Sequence, residues 1–172
     1  VVKDCSFVQF YCKLVRPAYH AGMDRIDRKL LNLMQRDAAR TNVDIADEVG
    51  LSPSSCLRRV QRLRASGIIE RIVAILNPAK AGRGIKALVT VELKLHGEEH
   101  MRRFLDLASA EEAVSHAYAV TGETDVVLML RLKDMEEFSG LCDSLFRDEH
   151  NVSRFFTMMV IKTAKEETAV RV

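Results

Sequence analysis

The feature that most constrains this chain is a pattern that occurs twice. Val89, Val91, Leu93 and Leu95 alternate as in a half-buried strand, and Met101, Phe104, Leu105 and Ala108 then recur at helical spacing. The same signals return 37 residues further on, where Val126, Leu128, Leu130 and Leu132 alternate and Phe138, Leu141, Cys142 and Leu145 follow a helix face. Asp134 and Glu137 are spaced as a capping box for that second helix. A further strand closes each unit, near 114–121 and 152–163. The order is β-α-β-β-α-β, in which two right-handed crossovers put both helices on one face of an antiparallel sheet. Leu88, Ala117, Ala119, Val127 and Met129 are expected on the other face, and as a group they are too apolar to stay open to water. A second subunit about a two-fold axis is the simplest cover.

The residues before this repeat read as helices. From Asp24, a candidate cap, Ile26, Leu30, Leu33 and Met34 mark a first helix ending near Ala38. A second fits Asn42–Val49, stopped by Gly50 in a left-handed conformation. Ser52 as N-cap and Pro53 at the first position start a third, which Gly67 ends. Residues 68–76 read as an extended, β-branched segment broken by Asn77-Pro78, and the stretch around Gly82 and Gly84 as a hinge.

Net charge adds a division that the total of +2 conceals. Residues 23–82 hold 11 basic and 7 acidic side chains, residues 83–172 hold 12 and 16. One anionic partner, met by the first part only, is the implied arrangement. The third helix concentrates the basic charge: Arg58, Arg59, Arg62 and Arg64 with no acid. Leu57, Val60 and Leu63, with Cys56 at the edge, are expected to pack inward, and Ser54, Ser55, Arg58, Arg59 and Arg62 to project outward. Two helices joined by a tight Gly-Leu-Ser turn, the second rich in arginine, form a helix-turn-helix whose second member can enter a major groove. There arginine grips phosphate or a guanine edge, and short hydroxyls near the helix start leave room for close approach. Arg40, Arg64 and Arg71 are candidates for backbone contact.

Hydrophobic residues make up 48% of the chain, enough to bury a core without disulfides or metal. Apolar runs such as 126–130 are five residues, far short of the roughly 20 that a membrane-spanning helix requires. The four cysteines (Cys5, Cys12, Cys56, Cys142) lack paired metal-ligand spacing, which suits a reducing compartment, the cytoplasm. Met23 is the first methionine, so residues 1–22 read as an upstream extension without an assigned function, with 7–11 able to form a short strand or helical turn.

From Met23 to nearly the C-terminus, about seven-eighths of its length, the chain resembles the Lrp/AsnC (feast/famine) family of transcription regulators. The resemblance is carried by Met23-Asp-Arg-Ile-Asp-Arg-Lys-Leu-Leu, by Gly50-Leu-Ser-Pro-Ser-Ser-Cys-Leu-Arg-Arg-Val, by Leu63 to Ile69 with its Gly67-Ile-Ile, by Leu76-Asn-Pro, and by Val120-Thr-Gly-Glu-Thr-Asp. It implies an α+β chain: a winged helix-turn-helix domain (23–78), a hinge (79–86), a ferredoxin-like βαββαβ effector-binding and oligomerisation domain (87–165) and a C-terminal tail (166–172). It further implies a homodimer, assembling to tetramers or octamers, that binds double-stranded promoter DNA in the nucleoid and answers to a small effector, an amino acid, without a cofactor. By position, the effector would meet Thr121, Gly122, Glu123, Thr124 and Asp125 in the turn between the middle strands, with Ala119, Met135, Met158, Met159 and Val160 around its side chain. Turn N–H groups could hold a carboxylate, and Asp125 or Glu123 an ammonium. Thr124 departs from the family, which often has an aromatic residue there. Of the adjacent Met158 and Met159, one must face the core.

Catalytic readings find less support. His96-Gly-Glu-Glu-His100 lacks the zinc-protease spacing and falls where a strand turns into a helix, whose first turn favours Glu98 and Glu99. Gly82-Arg-Gly84 is not a dinucleotide fingerprint. Cys56 reads as a small packed hydrophobe, with redox sensing as its alternative. Two other classes stay open from sequence: a small-molecule-binding or catalytic α+β domain of amino-acid metabolism, and an architectural DNA-binding protein without effector control.

Overall fold

The computed structural model describes residues 22–172, so the expectations for the N-terminal extension lie outside the described residues except at Gly22. Two compact units result. One comprises residues 76–163; the other takes the helices before Ile75 together with residues 164–172.

The helical unit contains α1 (Arg25–Arg36), α2 (Asn42–Val49) and α3 (Pro53–Ala65). Each begins on a side-chain cap that satisfies backbone N–H groups otherwise left without partners. Asp24 accepts from Asp27 N at 2.8 Å while Asp27 accepts from Asp24 N at 3.1 Å, and Thr41 and Asp44 form a second reciprocal pair. Ser52 caps α3 with Pro53 in its first turn. Gly50 ends α2 at φ 73°, a conformation that costs glycine nothing, and lets Leu51 N reach Ala46 O at 2.8 Å. Leu30, Leu31, Leu33, Ile45, Ala46, Val49, Cys56 and Leu63 form the core. Cys56 lies fully inside it, not at its edge, whereas Leu57 is half exposed and leaves the stripe expected of it.

The segment after α3 is extended, and among the described residues it pairs with no strand. Its β-branched side chains favour extended backbone, yet a strand also needs a neighbour for its amides, and Ile72, Val73, Ile75 and Leu76 stay exposed. The C-terminal residues, expected as a tail, instead join this unit. The Gln35 side chain accepts from Val170 N at 2.7 Å and donates to Val170 O at 3.0 Å, as a neighbouring strand would, and Val172 packs on the core.

The other unit contains β1 (Ile85–Leu93), α4 (Glu98–Ala110), β2 (Val114–Ala119), β3 (Val126–Leu132), α5 (Met135–Leu145), a 3-10 turn (Asp148–His150) and β4 (Val152–Met159). The sheet order is β2-β3-β1-β4, antiparallel throughout, as βαββαβ connectivity requires. Val89 opposite Leu128 and Val91 opposite Val126 set the register. Alternate residues Ala87 to Leu93 and Val126 to Leu132 are buried with Phe104, Ala108, Leu141, Leu145 and Val152. Leu95 lies beyond the end of β1 and is exposed.

Four further expectations change. A register shift between Val114 and His116 turns Ala117 and Ala119 opposite the buried Leu128 and Val126, away from the open face; a bulged strand inverts its alternation. The open face is instead crossed by two rows, His116–Met129–Leu88–Met158 and Tyr118–Val127–Thr90–Phe156. The presumed hinge is a bonded turn: Ala81 N meets Asn77 O at 3.0 Å, and Arg83 N meets Pro78 O at 2.8 Å. Its last residues, Ile85 and Lys86, belong to β1. Asp134 caps α5, but Glu137 does not return the bond; its carboxylate takes Lys133 N and Arg83 instead. Among the described residues no helix is long and apolar enough to cross a membrane.

Leu128 has no solvent exposure. Leu128→Ala is expected to cost about 2–5 kcal/mol in urea unfolding, whereas the half-exposed Leu57→Ala should stay within about 0.5 kcal/mol.

Candidate nucleic-acid interface and effector turn

The start of α3 is a hydroxyl cluster. Ser52 Oγ lies 3.2 Å from Ser54 Oγ and 2.9 Å from Ser55 Oγ, beside N–H groups that carry the positive end of the helix dipole. Ser54 is exposed and Ser55 half-buried.

The six arginines expected at DNA separate into three groups. Arg58, Arg64 and Arg71 are exposed and have no ion-pair partner among the described residues. Arg40 is engaged with Glu48 at 2.7 Å. Arg59, expected to project outward, folds back on α1 and donates through Nη1 to Asp24 at 2.6 Å and to Asp27 at 2.8 Å. Its spacing explains the correction: three residues after buried Cys56 and four before buried Leu63, it borders the packed stripe. Arg62 also reaches Asp27, at 2.5 Å, but its side chain remains 54% exposed. Asp27 has no exposure at all.

The N–H of Asp27, and then the Arg59 guanidinium, hold the Asp24 carboxyl below its ordinary value near 3.8, while Asp24 in turn holds Arg59 up. Burial pushes the Cys56 thiol up, against a reactive thiolate.

In the sheet unit the turn between β2 and β3 is tied to β1. Thr124 Oγ1 donates to Val91 O at 2.8 Å, and Asp125 N to the same oxygen at 3.0 Å. Asp125 Oδ2 accepts from Leu93 N at 2.8 Å, while Oδ1 stands 3.6 Å from His96 Nδ1. Gly122 at φ 125° permits the turn, and Thr121, Gly122 and Glu123 are exposed. The remaining effector candidates do not join this cluster within one chain. Met135 opens α5 beyond the far end of β3, and Met158 and Met159 pair with Leu88 and Ala87 toward the same end, next to Val160, whose N–H meets Lys86 O at 2.9 Å. At about 3.3 Å per residue, Met135 lies roughly 20 Å along the sheet from the turn, and Met158 and Met159, level with Met129 and Leu130, roughly 10–13 Å. Ala119 stays with the turn. Met158 lies on the open face and Met159 on the helix-covered face.

This division of labour matches known proteins. The AsnC-type helix-turn-helix domain family matches residues 23–64, and the Lrp/AsnC ligand binding domain family matches residues 86–170. The chain belongs to the Lrp/AsnC family. An HTH-type transcriptional regulator of Sinorhizobium fredii is 37% identical over 88% of this chain and 90% of its own length. The leucine-responsive regulatory protein of Rhizobium meliloti is 31% identical over 87% and 96%. The structure of a Neisseria meningitidis transcriptional regulator in complex with L-Met aligns with a TM-score of 0.81 at 30% identity, covering 87% of this chain and 96% of that one. As an Lrp/AsnC member the chain is a transcriptional regulator with a DNA-binding and a ligand-binding domain.

In this Lrp/AsnC chain, three participants escaped sequence reasoning: Asp27, His96 and Leu93 N. Only Asp27 had a signal, its position three residues after a cap and therefore at the inward edge of α1. Because the folded Asp24 carboxyl titrates below its unfolded value, its contribution is present above about pH 4 and is lost as pH falls through the folded value. Thermal midpoints taken from pH 7 down to pH 3 should therefore drop less for Asp24→Asn than for the native chain.

Proposed function

We propose that this chain is a cytoplasmic, sequence-specific DNA-binding regulator, without enzymatic activity, whose assembly or DNA affinity answers to an amino acid. The observation that carries the reading is the surface of α3: no acid, a hydroxyl-lined start, and Arg58 with the outer edge of Arg62 turned to solvent. Ser54, Ser55, Arg58 and Arg62 approach the groove, and Arg64 and Arg71 the flanking phosphates. Two such modules in a dimer would read half-sites about 34 Å apart.

Assembly is supported by the open sheet face, where Tyr118, Phe156 and Met158 are each at least half exposed in one chain. A second copy covers them at the lowest cost in new contacts. The effector candidates fall into two groups that do not converge within one chain, so we place the site where the turn of one copy meets the methionines of another. There Glu123 and the turn N–H groups take the ammonium and carboxylate, and Met135 and Met158 the side chain. Since the Neisseria relative is in complex with L-Met, methionine is the first effector to test.

Duplex binding measured against salt should weaken for Arg58→Ala, and for Arg64→Ala should weaken with a log–log slope smaller by about 0.9, as loss of one phosphate contact requires. Native binding that is negligible at low salt would overturn the reading. A thermal-shift screen of the twenty amino acids should find one that raises the midpoint, by about 2.7 kcal/mol in apparent stability at 100 times its dissociation constant. Glu123→Gln should remove that shift without lowering the ligand-free midpoint.

A further inference from the structure

The regulator reading leaves open why a helix made to face an anion gives two of its four arginines to carboxylates of its own chain. We infer that Asp27 is a positioning residue for DNA recognition: its buried carboxylate makes Arg59 a strut and Arg62 a reader, and fixes the direction in which the reader points. This rests on the regulator reading and goes beyond it.

The geometry separates the two arginines. Arg59 spends Nη1 on both Asp24 and Asp27, and its side chain is 25% exposed. Arg62 spends only Nη2, on Asp27 Oδ2, and is 54% exposed, so the rest of its fork of N–H donors stays open to solvent. The anchor itself cannot drift: Asp27 has no exposure, one oxygen takes Arg59 and the other takes both Arg62 and Asp24 N, within the first turn of α1. An arginine held at one nitrogen loses less freedom when it meets a base edge, and it rewards only those duplexes that present an acceptor in its fixed direction. A loose arginine reaches any nearby phosphate.

Charge leads to the same conclusion. Asp24, Asp27, Arg59 and Arg62 sum to zero, so the cluster adds nothing to the sequence-independent attraction that Arg58 and Arg64 exert. Asp27 thereby restrains non-specific binding while sharpening the specific contact.

The test uses the full chain, a duplex selected by the native protein from a random-sequence pool, and a scrambled duplex of equal length. Asp27→Asn keeps the side-chain shape and removes the charge. It should lower the ratio of specific to non-specific affinity at least tenfold, with non-specific affinity unchanged or raised and the circular dichroism spectrum native. In an Arg62→Gln background the same substitution should change the ratio less than twofold, because Asp27 acts through Arg62. A purely structural Asp27 would lower both affinities together and leave the ratio intact, which overturns the proposal. If Asp27→Asn does not fold, Arg62→Gln should cut the ratio at least tenfold and Arg59→Gln less than threefold; equal losses overturn the proposal. Failure of the native chain to bind any duplex would instead remove the regulator reading on which it rests.

Discussion

A carboxylate without access to water joins the first helix of this protein to the third. An isolated buried charge of that kind is prohibitive, and Asp27 is tolerated because two guanidinium groups and a backbone N–H satisfy it. The arrangement serves more than packing. It acts with the packing of α3, since Arg59 and Arg62 reach Asp27 on the side where Cys56 and Leu63 are buried. The opposite side, with Arg58 and Ser54, is thereby left to solvent. The face proposed to meet DNA lies opposite this buried interaction.

The sheet unit rests on a simpler constraint. Alternating apolar residues on β1 and β3 bury one face under α4 and α5, and the period of two leaves the other face to whatever covers it. Tyr118, Phe156 and Met158 leave that face half exposed in one chain, and Met135 opens α5 at the end of β3 away from the turn at 121–125. In the proposed function, assembly and effector binding share one requirement, a second copy.

Much of this was legible in the sequence where the signal is local. Asp24, Gly50, Ser52 and Pro53 act within one helical turn, and the alternations at 89–93 and 126–132 repeat over enough residues to survive the loss of Leu95 at one end. What was hidden depends on partners distant in sequence. One extra residue in β2 reversed the faces of Ala117 and Ala119, and alternation alone carries no mark of a bulge. Arg59 shares its residue type with Arg58, and only the carboxylates 32 and 35 residues earlier distinguish a strut from a contact. The grip of Gln35 on Val170 spans 135 residues and involves backbone atoms, which no residue type announces.

The central claim is that α3 meets DNA through Arg58 and the outer edge of Arg62 while Arg59 remains committed to α1. The side-chain Nε–H resonances of the three arginines, followed by NMR as duplex is added to the full chain, test it most directly. The account predicts that the Arg58 and Arg62 resonances move and gain protection from exchange while that of Arg59 stays in place. Movement of Arg59 with Arg58 and Arg62 undisturbed would contradict it.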